Sequence, residues 1–174
     1  MLSKKDRSNL AGEFYTLAEL CRSQKLDRTS WIWAGEFYTL AELYRRGYNV
    51  FKSLGKSEQI DIVVKDGDES LSIEVKSRMS SGQFLCSSPS SPRVRKIWVF
   101  VDMNKKSIDE PPDYYVLSAA DLYKIGKNRE KEIKIKEQAR GKKFSEFSSL
   151  DITLRDLKKY NQGWDLVKNI FDQK

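Results

Sequence analysis

The sequence predicts an α/β fold, a mixed central β-sheet flanked by helices. Three observations predict it. Apolar residues recur at helical spacing through Ala34 to Tyr44, two alternating runs flank Asp66-Gly67-Asp68-Glu69, and Ile97-Trp-Val-Phe-Val101 is unbroken apolar sequence. The resulting order, one helix, four strands and further helices, places a sheet between helical layers.

The chain opens on a duplication. Ala11-Gly-Glu-Phe-Tyr-Thr-Leu-Ala-Glu-Leu20 recurs letter for letter at Ala34 to Leu43 and nowhere a third time, so it is a local duplication and no solenoid. The first copy runs into Cys21-Arg-Ser-Gln-Lys-Leu-Asp-Arg, which offers no strand, and is expected to form an extra N-terminal helix. Trp31 and Trp33 are expected to anchor a linker. The second copy leads through Gly47, placed as a helix C-terminal residue, into a strand over Tyr48 to Phe51. On that helix Leu40, Leu43 and Tyr44 share a face with Glu36, while Glu42 joins the polar side. The expected organisation is an N-terminal extension over residues 1–33 and one domain over 34–174.

Gln59 to Lys65 and Ser70 to Ser77 read as a hairpin, because Asp-Gly between alternating runs is a strong turn signal. Ser77 to Arg93, Ser-rich with Pro89 and Pro92, reads as a long loop. Lys96 to Met103 reads as a buried central strand and Tyr114 to Leu117 as a fourth strand, with a helix capped by Ser118. Thr153 to Tyr160 and Trp164 to Phe171 read as C-terminal helices divided by Gly163.

Composition narrows the chemistry. The sequence contains no histidine, which removes imidazole triads, histidine-ligated metals and histidine bases together. Cys21 and Cys86 lie far apart and are expected as free thiols. No run approaches the roughly 18 apolar residues of a membrane span, and no apolar signal core follows Met1, so a cytoplasmic protein is expected. The net charge of +7 concentrates in Lys124 to Lys143, which holds nine Lys or Arg against three Glu. Lys134, Lys136, Lys142 and Lys143 there could neutralise phosphates, although a mixed-charge run is more often a solvated helix face.

The hairpin carries the chemistry. Ile60, Ile62, Val64, Leu71, Ile73 and Val75 mark its core face, so Asp61, Glu74 and Lys76 share the other. With Gly67-Asp68 as the two-residue loop, Asp61 falls across from Glu74 with Cβ atoms about 5 Å apart; with Asp66-Gly67 as the loop, the two become diagonal neighbours. Opposed carboxylates repel, and a hard divalent ion removes the conflict; Mg²⁺ suits such oxygen donors, with Mn²⁺ as a substitute. Lys76 can then position or deprotonate a water for attack on a phosphate.

Asp61, twelve residues, then Glu74-Val75-Lys76, resembles the catalytic signature of the PD-(D/E)XK nuclease superfamily, which includes restriction endonucleases and Holliday-junction resolvases. Gly35-Glu36 at a helix start and Gly47-Tyr48 at its end match the superfamily's order, so the resemblance covers roughly residues 34–124. Ile60 departs from it, standing where the motif has proline. The resemblance implies a restriction-endonuclease-like sheet and metal-dependent hydrolysis of nucleic acid, DNA first. Asp61, Glu74 and the Val75 carbonyl would hold the metal, Lys76 would assist the attacking water, and Glu36 would orient or bind a second ion. Symmetric duplex cleavage needs two sites, which makes a homodimer a reasonable expectation. The alternative is a catalytically silent nucleic-acid-binding or protein-interaction module on the same fold.

Other signals are weaker. Gly55-Lys56-Ser57 lacks the upstream glycine of a P-loop, since Val50 stands there. Trp98, Tyr114 and Tyr115 are expected in the core, and Arg93, Arg95 and Lys96 as strand-flanking charges that could also grip phosphate.

Overall fold

A computed structural model describes residues 3–23, 28–53, 60–104, 106–107, 110–141 and 149–172. Helix α1 (Lys4–Ser23) is followed by α2 (Arg28–Arg45), and the two pack along each other. The pair runs antiparallel, since four intervening residues reach about 14 Å at most and α1 is about 30 Å long. Gly47, at φ +90°, ends α2: its N–H reaches Tyr44 O at 2.9 Å and the Tyr48 N–H reaches Leu43 O at 3.1 Å, a Schellman closure.

The chain then builds β1 (Asn49–Lys52), β2 (Ile62–Asp66), β3 (Glu69–Arg78), β4 (Phe84–Cys86), β5 (Lys96–Asp102) and β6 (Asp113–Ser118). The main sheet runs β1-β2-β3-β5-β6, with only the β3–β5 pair parallel. The fold is thus α/β with a mixed five-stranded sheet flanked by helices. In the hairpin, Ile62 pairs Ile73 and Asp66 pairs Glu69, which makes Gly67-Asp68 the loop, with Gly67 at φ +58°.

Helix α3 (Ala119–Ala139) starts at Ser118, whose hydroxyl accepts from the Asp121 N–H at 3.1 Å. β7 (Leu150–Ile152), α4 (Leu154–Leu157), a 3₁₀ turn (Lys158–Tyr160) and α5 (Asp165–Asp172) complete the chain. Two apolar clusters cover opposite faces of the sheet. Ile62, Val64, Ile73, Val75, Ile97 and Val99 pack with Leu40, Leu43 and Val167 from α2 and α5. Trp98, Phe100 and Leu117 pack with Phe84, Leu122, Leu150 and Ile152 on the other side.

Several expectations need correction. The segment Ser77 to Arg93 is no plain loop: β3 continues to Arg78, and β4 pairs antiparallel with β7 as a second sheet, because Phe84 and Cys86 find apolar cover there. Trp31 and Trp33 lie in the first turns of α2, not in a linker, so α2 begins ahead of Gly35-Glu36 and residue 33 falls inside a helix. The helix expected over Thr153 to Tyr160 is a short α4 and a 3₁₀ turn. Both cysteines are free, and burial pushes the Cys86 thiol up to about 12, as an inert core residue.

Candidate active site

The site forms where β2 leaves β3. The Asp61 N–H donates to Ile73 O at 2.9 Å, the last rung between those strands, and its carboxylate Oδ2 then accepts from the Val75 N–H at 2.7 Å. Asp61 therefore turns along the strand edge toward Val75 instead of facing Glu74 across the ribbon. A strand residue's N–H and C=O point the same way, so the Val75 carbonyl opens on the Asp61 side beyond the end of the β2 ladder. Asp61, Val75 and Lys76 line one cavity of about 440 Å³ together with Trp31, Arg78 and Gln83.

Glu74 is not in the wall of that cavity. It is only 1% exposed, since the face expected to meet solvent is covered by the Trp98 and Phe100 cluster, which the hairpin sequence alone does not reveal. Its Oε2 accepts from Lys96 Nζ at 2.6 Å, and Lys76 Nζ stands 2.8 Å from Oε1. The Lys76 contact is an ion pair without hydrogen-bond alignment, which leaves Oε1 a buried oxygen with no bonded hydrogen. An isolated buried carboxylate costs several kcal/mol, and the two ammonium groups offset that.

Lys96 is the site residue absent from the expected set. Parallel pairing of β3 with β5 sets Glu74 beside Trp98, and Lys96, two residues earlier on the same face, bends to it over the Trp98 ring. The only sequence signal was its place in the Arg93, Arg95, Lys96 cluster.

Glu36, on α2, is outside the wall of the Asp61 cavity too, but lies near enough to feel the charges of Asp61 and Lys76. That helix lies hard against the end of β3: a Cβ on Gly35 would stand 2.4 Å from Ser77 Cβ, and Ser77 Oγ donates to Trp31 O at 2.8 Å. The Glu36 carboxylate pairs with Lys52, whose ammonium also sits 4.5 Å above the Trp33 ring. Burial raises the Glu36 pKa above the usual carboxylate value, with Lys52 pulling it back and the Asp61 charge adding to the rise. The other copy, Glu13, is exposed on α1.

A raised carboxylate pKa means stability that is fully present below the ordinary glutamate value and is lost as pH climbs through the folded pKa. Glu36→Gln should therefore melt higher than the parent at pH 7, with the gain vanishing near pH 4. Thermal melts across that range check it, and a constant difference would refute it.

The donors present are oxygens, which suit a hard divalent cation. Among the described residues, however, no three Asp, Glu or Cys side chains converge as a ready-made cage. The oxygens that could hold one are those of Asp61 and Val75 in the cavity wall and Glu74 Oε1, which is buried outside that wall.

The fold is shared with a nuclease. A bacterial homing endonuclease, I-Ssp6803I, superposes with a TM-score of 0.53 over 84% of this chain and 97% of its own, at 13% sequence identity. At that identity the likeness shows the fold alone. No protein-family model matches the chain, and no curated protein matches it in sequence. Among the described residues no helix is long and apolar enough to cross a membrane.

The basic candidates separate. Lys136 lines a groove with Gln83 and Arg129, and Gln83 also lines the Asp61 cavity, so that groove adjoins the site. Lys134 is engaged with Glu130 at 2.9 Å on the exposed side of α3. Lys142 and Lys143 lie outside the described residues.

Proposed function

We propose that this chain is a metal-dependent nuclease of the PD-(D/E)XK type, hydrolysing phosphodiester bonds of nucleic acid, DNA first. The observation that carries the reading is the convergence of Asp61, Val75 and Lys76 on one cavity at the β2–β3 divergence, with Glu74 pinned behind Lys76. Asp61, Glu74 Oε1 and the Val75 carbonyl would hold Mg²⁺, which Mn²⁺ can replace. Bound there, the ion would supply an activated water and charge neutralisation at the scissile phosphate.

The chain's own residues do the rest. Lys96 commits Glu74 Oε2, so only Oε1 remains to serve a ligand. The Val75 N–H fixes the Asp61 carboxylate in one orientation. Lys76 stands at the cavity wall, where its ammonium can orient the attacking water and meet a phosphate oxygen. Glu36, held by Lys52, adds negative charge beside Asp61 and favours a second cation there.

Purified protein incubated with labelled duplex, branched and single-stranded DNA and RNA, with Mg²⁺ or with chelator, tests this. Mg²⁺-dependent cleavage of at least one substrate is expected, and no cleavage of any would refute it. The silent-module reading draws on one observation, the ion pairs that Glu74 makes with two lysines, and predicts binding with no cleavage.

Lys136→Gln should lower the slope of log K against log salt by roughly 0.9, the share of one phosphate contact on duplex DNA, while Lys134→Gln leaves it unchanged. Equal slopes in both variants would make α3 a solvated face only.

A further inference from the structure

The duplicated segments pack against each other, and they do so through equivalent residues. Phe14 and Phe37 occupy the same place in the repeat, and their rings stack with centroids 6.0 Å apart. Tyr15 and Tyr38 are likewise equivalent and meet edge to face at 5.3 Å. The Tyr38 hydroxyl donates to Glu19, while the equivalent residues Tyr15 and Glu42 line one groove together with Arg45. Arg22, the equivalent of Arg45, donates to the same Tyr38 hydroxyl at 3.3 Å. Ala18 and Ala41, equivalent again, are both buried. A residue meeting its own equivalent, as Phe14 meets Phe37 and Tyr15 meets Tyr38, is what an isologous two-fold interface produces at its axis. Here the two halves belong to one chain.

The opposite face of α1 points the same way. Leu40 and Leu43 of α2 pack on the sheet at 1% and 0% exposure, while their equivalents Leu17 and Leu20 are 41% and 52% exposed. Gly12 meets nothing within 4 Å where Gly35 touches Ser77. A second α2 placed where α1 lies would therefore turn its sheet-facing side outward, away from this copy's sheet.

We propose that the face of α2 covered by α1 is a self-association surface, which the α2 of a second copy occupies when α1 is unseated. In the intact chain α1 fills it as an internal surrogate. Tethering gives α1 an effective concentration in the millimolar range, so it outcompetes a second copy at micromolar protein. The surface is carried by the duplicated decapeptide itself, Phe37, Tyr38 and Ala41 above all, and it does not depend on the nuclease reading.

Sedimentation or light scattering on the full chain tests it, with circular dichroism as the check on folding. The parent should be a 20.2 kDa monomer. Phe14→Asp, which puts a charge into the α1–α2 seam, should double the mass, and Phe14→Asp with Phe37→Asp should restore the monomer. A folded Phe14→Asp monomer, a double variant that stays dimeric, or a parent that is already dimeric would each overturn the proposal. Where Phe14→Asp does not fold, Ala18→Arg is the second variant. Failure of that protein to fold also overturns it, because a second copy would then have been unable to replace α1.

Discussion

Asp61→Ala and Lys76→Ala are each expected to reduce metal-dependent cleavage by at least about 10²-fold, the equivalent of about 2.7 kcal/mol of lost transition-state stabilisation. Neither change should unfold the protein. Asp61 lies at the open end of a strand edge and Lys76 at a cavity wall, so truncating them removes no core packing, although Lys76→Ala leaves buried Glu74 with Lys96 alone of its two lysines and should lower Tm. Asp61→Ala does release the Val75 N–H from its 2.7 Å bond, at a cost of about 1 kcal/mol or more. A small fall in Tm for that variant is part of the expectation. Rates measured on one substrate, with folding checked in parallel, decide it; undiminished cleavage in either variant would remove that residue from the site.

The second large effect separates two glycines in identical sequence. Gly35→Ala should destabilise by about 1–3 kcal/mol, because its Cβ would stand 2.4 Å from Ser77 Cβ and must push α2 off β3. The same push moves Glu36 away from Asp61, so cleavage should fall along with Tm. Gly12→Ala should do the reverse, stabilising by about 0.5–1 kcal/mol, since a mid-helix glycine is replaced where nothing lies within 4 Å. Paired melts of the two variants read this directly. Equal shifts, or a stabilised Gly35→Ala, would mean that α2 does not sit against β3 as described.

The legible part of the sequence is the local part. The hairpin and its two faces come from strict alternation around Asp66-Gly67-Asp68-Glu69, while the letters allow either Asp66-Gly67 or Gly67-Asp68 as the loop and the pairing of Ile62 with Ile73 decides for the second. Gly47 and Ser118 likewise announce a helix end and a helix start locally. Partners distant in sequence are not legible. Lys96 meets Glu74 only because β5 pairs in parallel with β3 at one register, and nothing in either strand states that register. The three-residue strands β4 and β7 carry too few positions to show a period, and each is stable only with the other and with the cover of Leu122 and Phe100. Alternation puts Asp61 on a face, whereas its side chain turns along an edge, because alternation fails at the residue where a strand ends. The two decapeptides are the limiting case, since identical letters sit at different depths and only the residues beyond Leu20 and Leu43 set them apart.

Calorimetric titration of Mg²⁺ or Mn²⁺ into the parent, Asp61→Ala and Lys76→Ala tests the central claim most directly. The parent should bind, Asp61→Ala should lose most of the affinity with its carboxylate, and Lys76→Ala should bind at least as well as the parent, having lost only a positive charge beside Glu74. Equal affinity in all three proteins, or no binding to the parent, would contradict the assignment of Asp61, Glu74 and Lys76 as a metal-dependent nuclease site.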